Sequence, residues 1–223
     1  MKLDRMLRCI AAVAVALFLV QCDKKSSTEP EKSKDTTKTL VVGGKANIYA
    51  AGHSVLPPPS NALAGEFPPV LALASVTHRP ITFASITGGV TGRANDAASG
   101  PDGKAEGSGT NVTALQGISG IRHGVKVLFL VGVFLNDAEP ADPAPDGIDF
   151  TDAEHLPELH PQLRQAFFIG DGRTGTGEGE AQRFFIPDGA TRLFLGFADA
   201  YLFQGAPGFY DDNGGELTVV VNL

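Results

Sequence analysis

From residue 39 onward, glycine, proline, asparagine or aspartate interrupts every apolar stretch before it can repeat at helical spacing. The chain holds 27 glycines and 15 prolines in 223 residues, which supplies turns in excess of anything a helical bundle would use. What remains are short runs rich in Val, Ile, Phe and Thr. They predict strands at 39–48, 81–89, 125–135, 165–169, 182–186, 192–197 and 216–221. The last run alternates at first (E-L-T-V) and then turns wholly apolar, which predicts a strand buried on both faces. Only 152–165 has helical potential, and Pro157 and Pro161 interrupt it. Many short strands with Gly/Pro turns predict an all-β chain folded as a jelly-roll β-sandwich.

The first 21 residues read differently. Lys2, Arg5 and Arg8 precede an unbroken apolar run over 10–20. That is a signal-peptide pattern, and the run is too short for a bilayer-spanning helix, which needs about 20 apolar residues. Cys22 follows directly and resembles the lipobox cysteine of bacterial lipoproteins, with Gln21 where a small residue is usual. Residues 23–38 carry almost no apolar surface, so 22–38 is predicted to be a solvated tether. The expected organisation is a signal at 1–21, a lipidated Cys22 with its tether, and a domain over 39–223. The expected location is the bacterial cell envelope, with the chain exported and held to a membrane by its lipid.

The two cysteines are Cys9 and Cys22. With one in the signal and the other lipidated, the domain has no thiol for a disulfide or a cysteine metal site. The formal charge is −7; the signal segment carries three bases and one acid, so the remainder stands at −9. Such an acidic domain repels nucleic acid and suits cations.

Two long polar segments interrupt the strands. Residues 95–111 are glycine-rich, and 136–161 gathers acids from Asp137 to Glu158 with His155 and His160. Loops of this length are commonly functional or disordered. The spacing of His155 and His160 is not H-E-x-x-H, which argues against a zinc protease. Residues 142–154 have part of an EF-hand pattern, but Ala144 stands where a ligand oxygen is needed, so a solvated acidic loop is favoured. His53, His78 and His123 are isolated and read as surface or hydrogen-bonded residues. Gly170, Gly172 and Gly175 match G-x-G-x-x-G, but a strand rather than a helix follows, so this is a glycine-rich hairpin. A glycosidase would need two carboxyls about 5–9 Å apart across a cleft. No pair is singled out, so the chain is read as non-catalytic.

The C-terminal segment carries the specific signal. A strand ends at Asp199; Pro207 and Gly208 make a turn; Phe209, Tyr210, Asp211, Asp212 and Asn213 follow; then Gly214 and Gly215 open the last strand. Calcium takes six to eight hard oxygen ligands on a backbone that can curl around it. Asp199, Asp212 and Asn213 can supply side-chain oxygens. A metal-free hairpin stabilised by Asx turns has the same residue types.

Residues 207–215 resemble, without a gap, the C-terminal calcium loop of the calcium-dependent galactophilic lectins (LecA-type) and the related galactose-binding-domain-like sandwiches. Residues 81–92 and 168–172 are similar to that family's strand into the first ligand loop and its central strand. The resemblance implies Ca²⁺ held by Asp199, Asp212 and Asn213 with the carbonyls of Phe209 and Thr91, its shell completed by sugar hydroxyls. It therefore implies a carbohydrate-binding site at Asp199, Asp212 and Asn213. Beside it, Tyr201, Phe203 or Tyr210 is available either to stack on a sugar ring or, equally, to pack in the core of the loop; Tyr201 and Tyr210 are assigned to the sugar site. Asp212 stands where the family has asparagine, and 200–205 is an insertion. The family's sugar-contacting histidine and glutamine have no counterpart, so galactose specificity is not carried over. The expectation is a calcium-dependent lectin-like module; the competing one is a structural or adhesion sandwich that binds a protein, with calcium structural or absent.

Overall fold

The computed structural model describes residues 37–57, 64–73 and 80–223. The signal segment, Cys22 and most of the tether lie outside the described residues, as does His78. Thr37 and Lys38, assigned above to the tether, already belong to the first strand. No helix among the described residues is long and apolar enough to cross a membrane.

The protein is an all-β sandwich. One sheet orders its strands as Thr37–Gly43 (β1), Gly214–Asn222 (β17), Pro80–Thr91 (β3), Arg183–Phe185 (β14) and Glu158–Leu159 (β10). A second sheet holds Ala166–Phe168 (β11), Val131–Leu135 (β8), Arg192–Gly196 (β15) and Val70–Ala72 (β2). Smaller ladders complete the fold. Gln204–Gly205 (β16), Thr110–Val112 (β5), Ile121–His123 (β6) and Ile148–Asp149 (β9) form one. Lys104–Ala105 (β4) pairs with Lys126–Val127 (β7), and Arg173–Gly175 (β12) pairs with Glu178–Ala181 (β13). The β12–β13 hairpin is the G-x-G-x-x-G segment, which forms no phosphate-binding helix.

A run of phenylalanines joins the two large sheets. Phe134 stacks on Phe167 at 5.1 Å, Phe167 meets Phe184 at 5.6 Å, and Phe184 meets Phe83 edge-on at 5.3 Å. These rings lead from β8 and β11 in one sheet to β14 and β3 in the other, and aromatic pairs at such spacing add to the apolar area they bury. Gly132 makes the packing possible: a Cβ there would lie 2.5 Å from the Phe167 ring.

The strand buried on both faces is β8, where all five residues are buried. In β17 the alternation persists instead: Leu217, Val219 and Val221 are buried while Thr218 and Val220 are partly exposed. The central position of β17 between β1 and β3 sets its pairing, but one of its faces stays partly open to water. The run read as one strand over 125–135 is two, β7 and β8, separated by Leu128 at φ 57°. The 152–165 segment forms turns and the short strand β10, as its prolines require.

A candidate cation and ligand cleft

The long C-terminal strands place the candidate site. Beyond β15 the chain continues through Phe197, whose N–H donates to the Ala46 carbonyl and whose carbonyl accepts from Ile48 N–H, and reaches Asp199. The Ala200↔Pro207 bridge and a Gly208 N–H donating to the Asp199 carbonyl (3.0 Å) pinch off the loop between them. Two 3-10 turns, Tyr201–Phe203 and Tyr210–Asp212, shape that loop before β17 begins. At the far side, the end of β3 pairs Thr91 with Gly214.

These elements enclose a cleft of about 390 Å³ lined by Gly92, Arg93, Asp199, Tyr201, Phe209 and Asp212 among others. Its backbone is strained. Among the described residues, seven non-glycine residues have positive φ, and three of them, Leu202, Phe203 and Phe209, line this cleft. Left-handed conformations at such side chains cost on the order of 1–3 kcal/mol each and concentrate at functional sites.

Asp199 is 3% exposed. One carboxyl oxygen accepts from Ala200 N–H (2.7 Å) and the other from the Asn213 side-chain amide (2.8 Å). Burial pushes this carboxyl up to about 7; the two hydrogen bonds act against that, the Asp212 charge adds to it, and the Arg93 charge opposes it weakly. Asn213 is also 3% exposed, and its amide N–H groups are spent on Asp199 and on the Gly44 carbonyl (3.1 Å). Its Oδ1 is buried with no partner. Gly44 can approach because a Cβ there would lie 2.4 Å from the Gly214 carbonyl oxygen. Asp212 is exposed and makes no hydrogen bond or ion pair among the described residues, while its neighbour Asp211 is turned away to accept from Gly65 N–H.

All five residues named for an ion, Asp199, Asp212, Asn213, Phe209 and Thr91, thus fall in or beside one cleft. Their chemistry fits a hard cation: a raised, uncompensated buried carboxyl, a free carboxylate and an orphaned amide oxygen. The aromatic residues divide. Tyr201 is 64% exposed at the rim, its ring 5.4 Å from Phe209. Tyr210 is fully buried, its hydroxyl donating to the Phe197 carbonyl (3.2 Å) and accepting from Asp199 N–H (3.1 Å). A ring without exposed surface has no face for a sugar, so the stacking role assigned to Tyr210 is corrected to that of a buried brace; Phe203 borders the cleft but is only 5% exposed, which leaves too little of its ring for a platform and makes it loop-core packing. Arg93 escaped the sequence reading. It lies two residues beyond Thr91, but its charge becomes relevant only once β3 and the loop after β15 meet.

The acidic stretch expected to be a solvated loop over 142–154 is exposed at most of its acids, and several acids across 136–161 also fasten it to the body. Asp137 accepts from the Thr191 hydroxyl, Glu139 meets His53, Asp142 accepts from Gly117 N–H, and Asp149 pairs with Arg122. Glu154 is the most buried of these. It takes hydrogen bonds from Lys126 and from His123 Nε2 (3.1 Å), and His155 lies 3.2 Å away. His123 Nδ1 accepts from Val125 and Lys126 N–H, which assigns the ring proton to Nε2 and leaves neither nitrogen free as a base or ligand. Among the described residues no three His, Cys, Asp or Glu side chains converge as a metal site, so a cation in the cleft depends on Asn213 and on carbonyl oxygens for the rest of its shell. Comparisons with protein-family models, with curated proteins and with solved structures found no match to this chain.

Proposed function

We propose that this domain is a calcium-dependent carbohydrate-binding module, non-catalytic, of jelly-roll type, carried by an exported lipoprotein whose lipid on Cys22 ties it to the cell envelope. One observation carries the reading: Asn213 Oδ1, buried and without a partner, beside a buried Asp199 carboxyl whose charge the chain does not balance. Burying an acceptor without a hydrogen bond costs about 1–3 kcal/mol, and a cation offsets that cost for both groups at once. Asp199, Asp212 and Asn213 would hold Ca²⁺ with the carbonyls of Phe209 and Thr91. Bound there, the ion supplies a Lewis-acidic centre for hydroxyl or carboxylate oxygens of a ligand. The exposed Tyr201 offers a ring face at the rim of the same cleft, an apolar surface that a pyranose can cover.

The test is a thermal melt of the 37–223 domain after chelation, with and without millimolar calcium, beside Asp212→Asn and Asp199→Ala/Asp212→Ala. A calcium-dependent rise in melting temperature, reduced in the single variant and lost in the double, is the expected result. No rise in any of them removes the ion and with it the lectin-like mechanism. A rise without glycan binding leaves calcium structural and turns the reading to an adhesion sandwich.

A further inference from the structure

Arg93 sets the chemistry of the ligand. Every other arginine among the described residues is engaged: Arg122 with Asp149, Arg183 with Glu158, and Arg164, Arg173 and Arg192 with backbone carbonyls. The Arg93 guanidinium alone makes no hydrogen bond or ion pair among the described residues, although it is exposed in the same cleft as two carboxyl groups. Its charge exerts a weak field on Asp199. The cleft therefore presents a planar, five-donor cation beside a proposed divalent one, with no anion among the described residues that satisfies the guanidinium.

A neutral sugar would leave that guanidinium to water. A sugar carrying a carboxylate satisfies both cations: one group of hard oxygens completes the calcium shell, and the same carboxylate accepts two parallel N–H bonds from the guanidinium fork. A cleft of about 390 Å³ is large enough for one such residue against Tyr201. We infer that the cleft selects carboxylated glycans, uronic or sialic acids at a chain end, with Arg93 as the specificity-determining residue. This rests on the calcium–glycan reading above.

The experiment is a glycan array bearing neutral, uronic-acid, sialylated and sulfated oligosaccharides, probed with the 37–223 domain in calcium and in chelator. It is followed by calorimetric titration with galacturonate and galactose, a pair that differs only at C6. Calcium-dependent binding confined to carboxylated glycans is expected. Arg93→Gln should weaken those glycans by about tenfold, leave the calcium-dependent melting shift intact, and be partly rescued by Arg93→Lys. Calcium-dependent binding of neutral or only sulfated glycans overturns the inference and leaves the lectin-like reading standing. Binding of none overturns both.

Discussion

Asp199 and Glu154 are both carboxyls drawn into the body of a small β-sandwich, and the chain treats them in opposite ways. At Glu154, burial alone would raise the pKa, but hydrogen bonds from Lys126 and His123, together with their charges, outweigh it and hold the carboxyl below its usual range. At Asp199, burial wins: the donors are one backbone N–H and one neutral amide, the nearest acid worsens matters, and the carboxyl rises to about 7. A buried carboxylate that the chain has already neutralised is a structural joint; one that the chain leaves uncompensated is suited to a cation from outside. The same contrast separates the acidic segment, where Asp137, Glu139, Asp142, Asp149 and Glu154 fasten it to the body, from the C-terminal cleft, where Asp212 is free.

The largest expected effect tests this through pH. The folded pKa of Asp199 is raised above its ordinary 3.8, so its contribution to stability is full below that value and is lost as pH rises through about 7. In chelator, unfolding free energy should fall across pH 4–8 by an amount on the order of 4 kcal/mol, and Asp199→Asn should flatten the curve. Calcium should restore stability mainly above pH 7, where no proton competes for the carboxyl. Glu154 has the opposite sign: its folded pKa is lowered, so its contribution is present above 4.5 and is lost as pH falls through the lowered value. A chelated protein whose stability is flat between pH 4 and 8 would erase the distinction.

Next in size is the joint itself. Lys126→Met leaves Glu154 buried with its main cation gone, and should cost about 3 kcal/mol in urea unfolding at pH 7, equally with and without calcium. A loss that calcium reverses would mean that the two carboxyls are not separate systems.

How much of this was legible in the sequence follows from the range of the interactions. Each of the seven expected runs contains a strand, because β-branched and aromatic runs closed by Gly or Pro are local signals. The two- and three-residue ladders β4, β5, β6, β9 and β16 were not legible: residues such as Lys104, Asn111 and Gln204 carry no apolar pattern, and only tertiary pairing makes them extended. The break at Leu128 was hidden because Leu128, Phe129 and Leu130 are all buried, so apolarity runs straight through the kink. In the cleft, ligand-type residues were readable as oxygen donors at turn spacing. The partner of Glu154 was not, since Lys126 and His123 lie 28 and 31 residues away among many acids and bases. Arg93 stayed invisible for a related reason: what distinguishes it is a lack of partners, and sequence does not show which arginines are satisfied.

The smallest expected effects come from two tyrosines that sequence could not tell apart. Tyr210→Phe removes a hydroxyl that accepts from Asp199 N–H and donates to the Phe197 carbonyl, orphaning the buried Asp199 N–H next to the uncompensated carboxyl and leaving the Phe197 carbonyl with Ile48 N–H as its donor. It should cost about 1–2 kcal/mol in denaturant unfolding and shrink the calcium-dependent melting shift, because the Asp199 backbone loses its brace. Tyr201→Ala changes an exposed ring at the rim and should alter stability by less than about 0.5 kcal/mol with the calcium shift intact. Its effect belongs to the ligand: glycan binding in calcium should weaken several-fold as the ring face is lost. The two substitutions thus separate holding the cation loop from contacting what the cation binds. If Tyr210→Phe left stability and the calcium shift unchanged while Tyr201→Ala destabilised the fold, the brace and the platform would have been assigned to the wrong rings, and the geometry of the Asp199 side of the cleft would have to differ from the one described.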